Sequence, residues 1–227
     1  LILILAAESI YILPYVLARV FRPTFLDVFD LSNLELGTLF STYGTVAFIS
    51  YLFGGVLADK FSPKKLLSFS LIFTSFGGFY MMSYPSYFSL QLLYAYWGFT
   101  TVFLFWAPMI KATTIIGGLN KQGKTFSFLD AGRGIVASSI GLIGVLIFSI
   151  VVIGDISDST TNEKQDAFRY VIAASSTIVF LTGVIVFFSL NIKVKGVANI
   201  GDFRDMKNLV KSKSVILIGL IILTAYM

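Results

Sequence analysis

Five ionisable residues stand inside long apolar stretches of this chain: Glu8, Arg19, Lys111, Asp130 and Arg133. A charge in such a stretch is costly, and it is normally kept to face a cavity, a ligand or a partner charge. Arg133 offers a planar fork of donors that matches a carboxylate or a phosphate. With Arg19 it makes a candidate anion-binding pair. Each has a structural alternative. Arg19 as an interfacial residue would snorkel outward. Arg133 would be neutralised by Asp130, three positions away on the same helical face. Lys111 is either a further cation for the substrate or an anchor at the inner membrane surface. Glu8 and Asp130 are the candidates for coupling to a proton, and Glu8 serves equally as a structural polar contact.

The chain has no His and no Cys. Thiolate metal sites, disulfides and imidazole bases are therefore excluded, no nucleophile constellation is present, and neither a cofactor, a metal nor an enzymatic activity is expected. Gly118-Leu119-Asn120-Lys121-Gln122-Gly123-Lys124-Thr125 matches the phosphate-loop pattern G-x4-G-K-[ST]. That pattern binds nucleotides only between a strand and a helix; here an apolar segment precedes it, so it reads as a turn between two spans. Nucleic acid is not an expected partner.

The elements that must hold these residues are membrane spans. Of the 227 residues, 56% are hydrophobic and 13% are charged, against about 25% charged in a soluble domain. Mean hydropathy is +0.87. The apolar residues come in blocks of the length that crosses a hydrocarbon core of about 30 Å. Seven such segments are expected, at 1–21, 37–58, 65–83, 89–115, 125–153, 168–190 and from about 213. The first has no basic leader or cleavage site, so it reads as a span with its start missing, and the last is cut at Met227. Gly134, Ala137, Ser138, Gly141 and Gly144 form an expected small-residue packing seam on the fifth segment. Tyr94, Tyr96, Trp97, Phe105 and Trp106 on the fourth are expected mostly to pack or face lipid, with cavity lining as the alternative.

Lys and Arg mark the cytoplasmic loops. The second join carries Lys60, Lys64 and Lys65, the fourth Lys121 and Lys124, and the sixth Lys193, Lys195, Arg204, Lys207, Lys211 and Lys213. The alternate joins are neutral or acidic, with Asp27, Asp30 and Glu35 in the first and Asp155, Asp158, Glu163 and Asp166 in the fifth. Every second loop is thus cytoplasmic. In the sixth join Val197, Ile200, Phe203, Met206 and Val210 fall at helical spacing, which predicts an amphipathic helix on the inner membrane surface, with a flexible linker as the alternative.

After the second segment the sequence reads Gly54-Gly55-Val56-Leu57-Ala58-Asp59-Lys60-Phe61-Ser62-Pro63-Lys64-Lys65. This resembles the signature loop of the major facilitator superfamily, roughly G-x-L-A-D-R-x-G-R-K, at the place where that family carries it. Gly54 and Gly55 suit a close helix crossing, and Asp59 suits a pairing at a helix end. Trp106-Ala107-Pro108-Met109-Ile110-Lys111 is similar to the Trp-Pro-Pro-x-x-Arg stretch of the organophosphate:phosphate antiporters. Ser127 to Gly134 aligns with that group's S-x-W-N-x-x-H-N, with Asp130 on its Asn and Arg133 on its anion-binding His. Arg19 is similar to its phosphate-binding arginine. The departures mean that phosphate specificity does not carry over.

The resemblance implies an all-α, polytopic bundle: the six-helix N-terminal half of a twelve-helix fold (1–190), a cytoplasmic linker (191–212) and the start of helix 7 (213–227). It implies an alternating-access transporter in the plasma (inner) membrane, with partners in the lipid bilayer, a C-terminal half of the same protein, a small organic anion and a coupling proton or counter-anion. Arg19, Arg133, Lys111 and Trp106 are the candidate substrate contacts, Glu8 and Asp130 the coupling candidates, and Gly54, Gly55, Asp59, Lys60, Lys64 and Lys65 the conformational loop. A transporter-like sensor and a multidrug or cation exporter are the alternatives.

Overall fold

The computed structural model describes residues 1–118, 120–151, 160–192, 212–214 and 217. The expected linker helix, most of the expected start of a seventh span, and Asp155 and Asp158 lie outside them. The described residues form helices joined by short turns. We label the helices α1 (Ile2–Val20), α2 (Arg22–Phe29), α3 (Asn33–Lys60), α4 (Pro63–Met81), α5 (Tyr87–Gly117), α6 (Gln122–Val151) and α7 (Thr161–Ser189). By length and composition α1, α3, α5, α6 and α7 are apolar enough to cross a membrane. The sixth long helix, α4, is more polar, and its Ser68, Ser70, Thr74 and Ser75 are buried in the bundle.

Local chemistry sets the boundaries. Ser32 and Glu35 close a capping box at the start of α3, and Thr160 and Glu163 close another at the start of α7; each satisfies orphan N–H groups reciprocally. The second box starts α7 seven residues before the apolar segment expected at 168, because a capped, charged first turn still propagates a helix. The short helix α2 was read from the sequence as part of a loop. Pro23 opens it, Phe25, Val28 and Phe29 bury one face, and Asp30 ends it in the left-handed conformation at φ 51°.

Two of the spans contain π-helical turns, Ile12–Val16 in α1 and Phe99–Trp106 in α5. Pro14 lies inside the first, and Pro108 lies just beyond the second. Proline lacks an N–H, and its ring collides with the carbonyl four residues earlier. A wider turn relieves that conflict without breaking the span.

The spans pack most extensively as α3 on α5 and α4 on α7, followed by α4 on α5, α1 on α6 and α1 on α7. Exchanging α1, α3 and α4 for α5, α6 and α7 maps this pattern onto itself, the pattern of two three-helix repeats. Glycines bring several of these contacts close. Gly98 of α5 lies against the Tyr43 backbone, Gly54 of α3 against Phe103, Gly132 of α6 against Ile4, and Gly183 of α7 against Leu71. Ser68 Oγ donates to the Gly183 carbonyl at 2.7 Å across the α4–α7 seam. Two expectations are corrected here. Gly55 faces open space and takes no part in the crossing made by Gly54. The buried face of α6 runs through Leu129, Gly132, Ile140, Gly144 and Phe148 at spacings of three, four and eight, which leaves Gly134 and Ser138 exposed.

The ends of the bundle follow the charge alternation. At the inner end Lys111 Nζ reaches Asp59 Oδ1 at 3.6 Å. At the outer end Lys164 Nζ pairs with Asp27 Oδ2 at 2.9 Å, and the Tyr84 hydroxyl donates to the Gln165 carbonyl. Burial pushes the Tyr84 hydroxyl up to about 12, against the opposing pull of Arg169. It therefore stays protonated, and able to donate, at neutral pH. Large apolar side chains such as Phe73, Phe76, Leu142, Leu146 and Ile150 point out of the bundle. Hydrocarbon solvates such a surface and water does not.

Candidate functional site

Glu8, Tyr11, Tyr15 and Arg19 are spaced by three, four and four residues along α1, so they form one stripe on that helix. All four line an open cleft of about 340 Å³, and Arg133 of α6 completes it. The π-helical turn at Ile12–Val16 begins directly after Tyr11 and contains Tyr15. Both tyrosines still face the cleft, although the helical register changes between them.

Arg133 is the most heavily engaged side chain. Its Nε donates to Glu8 Oε2 at 3.2 Å, and its Nη1 donates to Asp130 Oδ1 at 3.4 Å. Its guanidinium lies 5.5 Å from the ring centroid of Tyr11 and 5.8 Å from that of Trp106. Aromatic faces hold a cation without neutralising it. Glu8 is buried, whereas Asp130 is exposed at the margin. The pairing of Arg133 with Asp130 offered by the sequence is present, and the structure adds a second, more buried carboxylate inside the cleft, Glu8, 125 positions away in the chain.

Arg19 is placed differently. It is exposed to the cleft, with its guanidinium 5.7 Å from the Tyr15 ring centroid. Among the described residues no carboxylate lies within ion-pair distance of it. The inner half of the cleft thus holds a paired charge, and the outer half a cation with only an aromatic face beneath it.

Beside this cleft lies a second hollow of about 380 Å³ that shares Tyr11 and Tyr15 as walls. Tyr43 of α3 stands edge-on to Tyr15, with centroids 4.9 Å apart, and Phe40 stacks on Tyr15 at 5.3 Å. The Tyr43 hydroxyl is hydrogen-bonded to Thr101 in the π-helical turn of α5. These tyrosines had no role in the sequence reading. The signal was present: 8, 11, 15 and 19 keep helical phase, and Tyr43 and Tyr51 are two turns apart on α3.

The remaining candidates fall in two places. Trp106 supports Arg133 from below and packs its edge on Tyr11 at 6.3 Å. Lys111 is not brought to the cleft. Its Nζ donates to the Ala58 carbonyl at 2.7 Å beside Asp59, which ties α5 to the end of α3. Its position five residues beyond Trp106 rotates it away from the stripe. Lys64 lies over the Phe187 ring at 5.7 Å, and Lys60 and Lys65 are exposed at the same inner end. The helices α1, α3, α5 and α6 thus line the cleft and hollow, while α4 and α7 pack behind them.

Comparison with known proteins fits this architecture. The family model described as Major Facilitator Superfamily matches residues 4–227. The inner membrane protein YqcE of Escherichia coli (strain K12) is 31% identical over 157 residues, which cover 69% of this chain and 35% of that protein. The inner membrane protein YihN of the same organism is 27% identical over 232 residues, covering 99% of this chain and 52% of that protein. An uncharacterized MG294 homologue of Mycoplasma pneumoniae is 25% identical over 163 residues. The matched segments cover about half of YihN and about a third of YqcE.

Proposed function

Because this chain belongs to the major facilitator superfamily and is a multi-pass membrane protein, we propose that it supplies one wall of the pathway in a secondary transporter of small organic anions. In this reading the protein sits in an inner membrane, as its Escherichia coli relatives are named to do. The rest of a longer chain supplies the opposite wall, and the two halves rock about a site between them. The kinship with organophosphate:phosphate antiporters belongs to this proposal, as a subgroup within the family.

One observation carries the reading. Arg19 and Arg133 open on a single cleft, and Arg19 has no carboxylate in ion-pair range among the described residues. A guanidinium held on an aromatic face keeps its donors available to a ligand anion. The pairing of Arg133 with Glu8 supports coupling, because an anion on Arg133 displaces Glu8 as its partner. A second reading is export of lipophilic cations, favoured by the buried carboxylate of Glu8 beside Tyr11 and Tyr15.

The test is uptake of labelled organic anions into liposomes that contain the full-length protein, together with thermal stability in detergent under the same ligands. A ligand that binds only the folded state raises the melting temperature. Anion flux with matching stabilisation is the expected result. Stabilisation by anions without flux makes the protein a sensor. Stabilisation by lipophilic cations alone replaces the anion reading with the exporter.

A further inference from the structure

We propose that the tyrosine-walled hollow is a second compartment of the substrate cleft that takes an arene ring, so that the preferred substrates are aryl or arylalkyl carboxylates. This rests on the anion reading above and adds the chemistry of the rest of the ligand.

Tyr11 and Tyr15 wall both compartments, so the two lie side by side. In this proposal a ligand whose carboxylate lies by Arg19 passes Tyr15 and sets its ring in the hollow. The hollow, at about 380 Å³, exceeds the cavity of about 150 Å³ that accepts benzene in a protein core. Its walls already show the mutual angles that rings prefer: Tyr15 and Tyr43 meet at 77°, and Tyr11 and Tyr15 at 57°. An added ring finds both an edge and a face to meet.

The lining also separates an arene from a sugar. Besides its tyrosines the hollow presents Gly44, Ala47, Phe48 and Val102, with no carboxylate, amide or aliphatic hydroxyl. The Tyr43 hydroxyl already bonds to Thr101, so the polar groups of the hollow are the phenol hydroxyls at the tips of its aromatic walls. A polyhydroxylated ring would give up several hydrogen bonds to water against these few groups, whereas an arene gives up none. Gly44 is the notch that admits the ring, since a Cβ built there meets nothing within 4 Å.

The experiment measures dissociation constants of acetate, phenylacetate and glucuronate with the full-length protein in detergent. The three share a carboxylate and differ in what it carries. Burying the phenyl group predicts that phenylacetate binds roughly ten- to a hundredfold tighter than acetate, with no such gain for glucuronate. Gly44→Leu fills the notch and brings the phenylacetate-to-acetate ratio towards one; folding of the variant is checked by its melting temperature. Phe48→Ala, which removes a wall instead of adding bulk, lowers the same ratio. Equal binding of acetate and phenylacetate, an advantage for glucuronate, or a ratio that survives both substitutions overturns this inference and leaves the anion site standing. Failure of all three carboxylates to bind overturns the anion reading and this inference with it.

Discussion

Replacing Arg19 and Arg133 together by alanine is expected to lower anion uptake more than a hundredfold. Hydrogen bonds to charged groups contribute about 1.5–3 kcal/mol each. Loss of one from each arginine therefore removes at least about 3 kcal/mol, more than two decades in affinity. The single change Arg133→Ala has a second effect. It leaves Glu8 buried without the guanidinium that lies 3.2 Å away, and breaking a buried pair from one side costs about 3 kcal/mol. Uptake and melting temperature should both fall. Adding Glu8→Gln removes the stranded charge, so stability returns while uptake does not. Full uptake by the double arginine variant would sink the anion reading.

The largest effect on stability is expected at Gly98. A Cβ there would stand 2.5 Å from the Tyr43 carbonyl oxygen and 3.1 Å from Val46 Cβ. The first neighbour is backbone, so α3 itself must move. Overpacking of this kind costs about 1–3 kcal/mol, and Gly98→Ala should lower the melting temperature in detergent by roughly 5–10 °C on the usual scaling. Because the displaced carbonyl belongs to Tyr43, its link to Thr101 and its contact with Tyr15 shift as well. Gly78→Ala is the comparison. Its added Cβ overlaps the ends of the Ser176 and Leu13 side chains, which can rotate or shift, and the loss should be smaller. Gly98→Ala at the wild-type melting temperature would mean that α3 and α5 pack less closely than described.

The helical class and most spans were legible because lipid imposes one rule, that about twenty apolar residues make a crossing. Charge alternation between loops then supplied their order. The boundaries that shifted did so for reasons hydropathy does not carry. The capping box at Thr160 and Glu163 begins α7 among charged residues, and the apolar face of α2 is too short to register. The π-helical turns were not legible, because a proline in a span permits a kink, a break or a widened turn, and neighbouring helices decide among them. The charged residues of the cleft were found from their cost in hydrocarbon. Their partners were not: Glu8 and Arg133 meet across two helices 125 positions apart. For Lys111 the sequence left a substrate contact and an inner anchor open, and the contacts with a backbone carbonyl and Asp59 fit the anchor.

The two tryptophans of this chain differ in a way that reaches beyond packing. Trp97 is wholly buried, with its Nε1 donating to the Thr74 carbonyl at 3.1 Å, so its emission is a constant background. Trp106 lies beneath the Arg133 guanidinium. An indole's emission responds to the electric field across its ring, and any ligand that draws Arg133 away changes that field. The cleft therefore carries its own optical reporter: in a protein whose other tryptophans are replaced by phenylalanine, Trp106 emission is expected to follow occupancy with no label attached.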